Sequence, residues 1–148
     1  MKAASDIFEQ LDGISGAGDD FVLHAYRLTD KWRAVGVGIE AVDPILRFME
    51  NEPDVDFGAP GPLAHFMEQF QGRGYDERLL ESVKRKPTYE TAGLLNRLIN
   101  GASSDDARRR LIEVMEQARR NPRADVVTIE RLEEALKLQR RRRNQGRN

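Results

Sequence analysis

An all-α fold is predicted for this chain of 148 residues. Three observations predict it. Apolar residues recur at spacings of three and four along most of the length, which draws one buried stripe on a helix. Valines are scattered and strict polar–apolar alternation is absent, and the one strand-like patch, Val35 to Ile39, is interrupted by Gly36 and Gly38. Clusters of Gly, Pro, Asn and Ser fall mainly between the periodic segments, where they end helices.

Ser5 is placed to cap a first helix carrying Ile7, Phe8 and Leu11 and stopping at Gly13, and Gly13 to Gly18 reads as a loop. From Asp19 to about Val35 the residues Phe21, Ala25, Leu28, Trp32 and Val35 form one stripe, the core side of a second helix. Asp43 and Pro44 mark the next start, because proline in the first turn loses only an amide with no intrahelical partner; Ile45, Leu46 and Met49 are its buried side. Glu52 to Pro62 holds three prolines and two glycines and reads as an ordered or semi-ordered loop. A helix from Leu63 to Phe70 follows, with Leu63, Phe66, Met67 and Phe70 on one face.

Asp76 begins a helix with Leu79, Leu80 and Val83 inward, and Lys84, Arg85 and Lys86 complement the dipole at its end. Pro87 stops it. Thr88 caps the next helix, which carries Ala92, Leu95, Leu98 and Ile99 and stops at Asn100–Gly101. Ser103 or Ser104 opens a helix with Ala107, Leu111, Met115 and Ala118, closed by Asn121 and Pro122. A last helix from about Thr128 presents Ile129, Leu132, Ala135 and Leu136. About eight helices in antiparallel pairs result, as one domain over residues 1–139 with a basic, frayed tail over 140–148. The helix pairs 76–101 and 103–140 fit a small HEAT-like α-solenoid, and a compact irregular bundle is the competing arrangement.

Hydrophobic residues at 39% and charged residues at 33% exclude a disordered chain. The absence of cysteine removes disulfides, thiolate metal sites and thiol catalysis, and fits a reducing cytoplasm. Residues 1–13 are acidic and lack the apolar core of an export signal. The longest uncharged stretch, Phe57 to Met67, contains two prolines and two glycines, so no membrane span is expected.

Chemistry is sparse. Gly13 to Gly18 resembles a glycine fingerprint, but it follows a helix and carries no phosphate-binding Lys. His65 and Glu68 share adjacent turns, yet with His24 elsewhere no third or fourth ligand is placed, so no metal and no cofactor are assigned. Neither histidine has a nucleophile and orienting group beside it, and no enzyme activity or small-molecule ligand is expected.

Charge is the informative feature. Residues 1–70 carry 5 Lys/Arg against 13 Asp/Glu, and residues 71–148 carry 19 against 12, so a net −1 hides poles of −8 and +7. Glu50, Glu52, Asp54 and Asp56 crowd seven positions, and Asp19 and Asp20 open the second helix. Such a surface suits steered association with a basic partner, with nearby aromatics supplying affinity; solubility alone and attraction between the halves are the plain alternatives. Arg108 to Arg110 and Arg140 to Arg143 could neutralise phosphates, which gives a nucleic-acid-associated helical protein as the runner-up. The aromatic-free tail and the acidic first half argue against it. A self-associating scaffold is a third reading.

The stretch Asp56-Phe-Gly-Ala-Pro-Gly-Pro-Leu-Ala-His-Phe-Met-Glu68, with Tyr75, the Glu81-Ser-Val-Lys-Arg-Lys-Pro-Thr88 turn and Leu94-Leu-Asn-Arg-Leu-Ile-Asn-Gly101, resembles small immunity proteins of bacterial polymorphic-toxin and contact-dependent growth inhibition systems. The resemblance covers about residues 20 to 139. It implies an α-helical, HEAT-like cytoplasmic protein that performs no reaction and protects its cell by binding a cognate toxin domain, such as a basic nuclease, and blocking its active site or an exosite. On that reading Gly58 to Pro62 shapes a loop, and Asn96, Arg97 and Asn100 tie helix ends. Toxin-reading residues of such proteins occupy variable exposed positions, so the acidic candidates rest on charge alone.

Overall fold

The computed structural model describes residues 4–145, so residues 1–3 and the end of the expected tail, 146–148, lie outside the described residues. Among those described are eight α-helices and no strand: α1 (Ala4–Ile14), α2 (Phe21–Val35), α3 (Val42–Asn51), α4 (Pro62–Glu68), α5 (Tyr75–Arg85), α6 (Tyr89–Asn100), α7 (Asp105–Ala118) and α8 (Val126–Gln145). Two 3-10 segments, Ser15–Asp20 and Ile39–Ala41, lead into α2 and α3. The all-α expectation holds. The chain divides into two compact units, Met1–Arg78 and Leu79–Asn148, a finer grouping than the single domain read from the sequence.

In the first unit α1 packs on α3 and on α2, and α2 packs on α4. Trp32 of α2 is fully buried, with its ring edge-on to Phe66 of α4 at 5.2 Å and its indole N–H donated to Gln10 Oε1 of α1 at 2.8 Å. One side chain thus links three helices, and its only polar atom is satisfied where burial makes an orphan costly. A second aromatic group joins Phe8 of α1, Phe21 of α2, Phe48 of α3 and Phe57 of the following loop, with centroids 5.5 to 6.3 Å apart.

Several core assignments shift. On α2 the buried residues are Phe21, Ala25, Thr29 and Trp32, while Leu28 is half-buried and Val35 is 63% exposed. Thr29 is tolerated inside because its hydroxyl donates to Tyr26 O one turn back, at 3.1 Å. Val35 faces out because α2 ends in a Schellman motif. Gly36 takes φ 80°, its N–H reaches Arg33 O at 3.3 Å, and Val37 N–H reaches Trp32 O at 2.9 Å. That turn folds Val37 inward against the end of the helix, and it is Val37 that is buried. Ser5 lies inside α1 rather than capping it, α1 runs one residue past Gly13, and Pro44 is the third residue of α3 rather than the first. Phe70 lies past the end of α4 at Glu68 and is half-buried, as is Leu80 of α5.

In the second unit α6, α7 and α8 all touch one another. Arg131 of α8 donates to Tyr89 O at the start of α6 at 2.5 Å, and Gln139 of α8 donates to Asn100 at the end of α6 at 2.8 Å, so α6 and α8 run parallel. Arg108, near the start of α7, reaches the same Gln139, so α7 runs opposite to both. Consecutive helices are therefore antiparallel, as expected from their short connections.

The caps explain the boundaries. Thr88 caps α6 in a reciprocal box with Thr91, each side chain accepting the other's backbone N–H at 3.1 Å. Of the two candidate serines, Ser104 is the cap of α7, accepting from Ala107 N at 3.1 Å. The start of α8 lies two residues before Thr128, because Asp125 accepts the Thr128 N–H at 2.8 Å and serves as N-cap. The terminal carbonyls of α5 are covered from the α7–α8 turn: Asn121 donates to Lys84 O at 2.9 Å and Arg123 to Arg85 O at 3.1 Å.

Trp32→Ala is expected to cost about 3–5 kcal/mol in urea unfolding, as large aromatic truncations in cores do. Gln10→Leu should cost about 1–3 kcal/mol by orphaning the indole N–H. In a Trp32→Phe background that second cost should vanish; an unchanged cost would show that Gln10 acts through something other than the indole.

The Thr128 hydrogen bonds hold the Asp125 carboxyl below its ordinary value of 3.8. Its stabilising effect is therefore present above that value and is lost as pH falls through the lowered one. Asp125→Ala should lower stability by roughly 1 kcal/mol at pH 7, and the gap to the native protein should shrink in thermal melts at pH below about 4, once both forms lack a charged cap.

Candidate functional site

The acidic residues singled out by charge all fall in the first unit. With the boundary at residue 78, that unit carries 7 Lys/Arg against 15 Asp/Glu, and residues 79–148 carry 17 against 10, so the poles of −8 and +7 coincide with the structural division.

The aromatic group is what gathers these residues. Asp19 and Asp20 directly precede Phe21, Glu50 and Glu52 follow Phe48, and Asp54 and Asp56 lead into Phe57. Phe21, Phe48 and Phe57 contact each other pairwise, at 6.0, 5.5 and 6.0 Å. Three separate stretches of acidic backbone are thereby held around one apolar anchor. Asp19, Asp20, Asp54 and Asp56 are exposed and Glu52 is half-buried.

Glu50 is the exception. It is only 4% exposed, and its carboxylate faces Arg47 Nη1 at 4.0 Å, so it belongs to the interior and offers no charge to a partner. Its place on α3 explains this: Glu50 follows Phe48 and Met49 at the end of a helix that is buried around most of its circumference. The aromatics also differ from expectation. Phe21, Phe48 and Phe57 are at most 2% exposed and serve as scaffold. The apolar side chains open to a partner in the first turns of α2, beside Asp19 and Asp20, are Leu23 and Tyr26.

The acidic loop is ordered by its own hydrogen bonds. Val55 N–H reaches Glu52 O at 3.2 Å, and Asp56 Oδ1 accepts from Gly58 N at 3.0 Å. The loop then closes tightly through a cis Ala59–Pro60 bond, with Gly58 at φ 96°. A Cβ on Gly61 would sit 1.5 Å from Phe57 O, so only glycine fits.

The basic candidates sit in the second unit around a polar hub. Gln139 is buried; its amide donates to Asn96 and Asn100 at 2.8 Å each, and its oxygen accepts from Arg108 at 2.7 Å. Arg142 also donates to Asn100. The amide capacity of Gln139 is fully used, which is what makes it tolerable inside. Asn96 and Asn100 thus tie helix ends as the sequence suggested, with Gln139 as the partner that periodicity missed. Arg109 pairs with Asp106 at 3.5 Å on the surface. Residues 140–145, expected to fray, continue α8 as helix.

Other motifs stay apart. Gly13 to Gly18 is the end of α1 and a 3-10 segment, with no strand before it. His65 is exposed and His24 half-buried, and among the described residues no group of three or more His, Asp or Glu could hold a metal ion. No helix among them is long and apolar enough to cross a membrane. Comparison with known proteins found no matching family model, no similar curated protein and no similar solved structure.

Gly61→Ala is expected to destabilise the first unit by about 1–3 kcal/mol or more, since the clash is with backbone that cannot rotate away. Gly16→Ala, with nothing within 4 Å of its Cβ, should change stability by no more than about 0.5–1 kcal/mol. Equal melting temperatures for the two variants would contradict the close approach at Phe57.

Proposed function

We propose that the protein is a non-catalytic inhibitor: a bacterial immunity protein of the cytoplasm that neutralises a cognate toxin domain by docking its acidic unit on a basic surface of that toxin. The observation that carries this reading is the set of exposed carboxylates Asp19, Asp20, Asp54 and Asp56 anchored on one packed aromatic group in a unit of charge −8. Fixed charges of one sign steer encounter with an oppositely charged partner and set register on contact. Tyr26 and Leu23, exposed on α2 just beyond Asp19 and Asp20, supply the apolar contact that affinity requires. The segments from Asp56 to Gly101 that resemble immunity proteins support a toxin as the partner.

The test is co-expression with the toxin domain encoded beside this gene, followed by size-exclusion chromatography. A stable complex and cell survival are expected. Continued killing with no complex would overturn the proposal. Within the complex, Asp19→Lys, Asp20→Lys, Asp54→Lys and Asp56→Lys together should slow association by about tenfold or more and abolish its salt dependence. Tyr26→Ala should instead raise the dissociation rate, as loss of an aromatic anchor does.

A further inference from the structure

The sequence set the aromatic-free tail and the acidic first half against a nucleic-acid reading, and expected residues 140–148 to fray. The fold changes the last of these and joins the two arginine runs. Arg108 of the first run and Arg142 of the second are drawn to one place by the hub: Arg108 donates to Gln139 Oε1 at 2.7 Å and to Gln139 O at 3.3 Å, and Arg142 to Asn100, which itself accepts from Gln139. The start of α7 and the end of α8 therefore meet, and the other arginines of both runs lie within two residues of Arg108 or Arg142 along the two helices. α8 stays helical through Gln145.

We infer that this end of the second unit is a phosphate-binding patch for the backbone of a nucleic acid, carried by Arg110, Arg140, Arg141 and Arg143 around the Gln139 hub. All four are exposed, and none forms an ion pair or hydrogen bond among the described residues. That distinguishes them from cations such as Arg78, which faces Asp43 at 3.4 Å. Arg109 adds a fifth cation, held only by a surface pair with Asp106 that a phosphate can replace. The nearby acids in sequence are Asp105 and Asp106, at the opening of α7, and Glu113, three residues after Arg110.

The residue type narrows the ligand. Every cation of both runs is arginine and none is lysine. Guanidinium forks bind phosphate oxygens in pairs, whereas lysine acts as a point charge. Insertion into an anionic membrane draws on several apolar side chains beside the cations, and the large exposed one next to this patch is Leu138; binding to lipid by charge alone is distinguished by the vesicle arm of the test below. The same lack of aromatics means that bases do not stack on this surface, so binding follows the backbone and ignores sequence. The inference is independent of the toxin reading, which uses the other unit.

Fluorescence anisotropy with a labelled 20-nucleotide oligouridine RNA and a 20-base-pair DNA duplex tests it directly on the full chain. Both should bind at 50 mM NaCl, without sequence preference. For five phosphates neutralised, log–log salt slopes of about −3.5 for the RNA and −4.5 for the duplex are expected. Arg140→Gln, Arg141→Gln and Arg143→Gln together should bring the slopes to about −1.4 and −1.8 and weaken binding at least tenfold. A charge-matched control, Arg27→Gln, Lys31→Gln and Arg120→Gln, should leave both unchanged, with all variants melting as the native protein does. No binding at about 100 μM protein, an equal effect of the control, or binding to vesicles containing phosphatidylglycerol but to neither oligonucleotide would each overturn the assignment.

Discussion

A buried side-chain polar group that cannot reach the backbone of its own helix must find its partner on another, and both units are organised around that requirement. In the first, the indole N–H of Trp32 has Gln10 of α1, while its ring packs on Phe66 of α4. In the second, the amide of Gln139 has Asn96, Asn100 and Arg108 on α6 and α7. Apolar stripes alone would allow these helices to slide or rotate against one another, because hydrophobic contact is non-directional. The hydrogen bond admits one register, since any other leaves a polar atom stranded in the interior.

That register determines what the surfaces present. The rings of Phe21, Phe48 and Phe57 hold the start of α2, the end of α3 and the following loop together. The backbone stretches that carry the flanking carboxylates are brought together through a contact in which no charge takes part. The hub around Gln139 does the same for the arginines of α7 and α8. Like charges repel, so neither cluster would assemble by itself; each is imposed by uncharged packing beneath it.

Much of this was legible in the chain. Helix spacing predicted the buried face of α6 well: Ala92, Leu95, Leu98 and Ile99 are all buried. Thr88 was readable as a cap, since its chemistry is local. What failed was decided from outside the segment. Val35 continues the stripe of α2 by spacing, but the turn at Gly36 directs Val37 inward in its place. Glu50 reads as one more acid in an acidic run, yet α3 is enclosed on nearly every side and takes that carboxylate with it. Asp125 was missed as the cap of α8 because Val126 and Val127, apolar in sequence, are exposed and gave no periodic signal.

By itself, the sequence determined the all-helical class, the number and order of helices and the opposition of charge between the first and second halves, because spacing, capping and composition are properties of neighbours along the chain. Only the tertiary structure decided which acids face outward and whether two distant arginine runs form one surface. Both depend on rings and amides meeting across tens of residues, where a contact is specified by shape and by the cost of an unpaired polar atom, and neither is written in any local pattern.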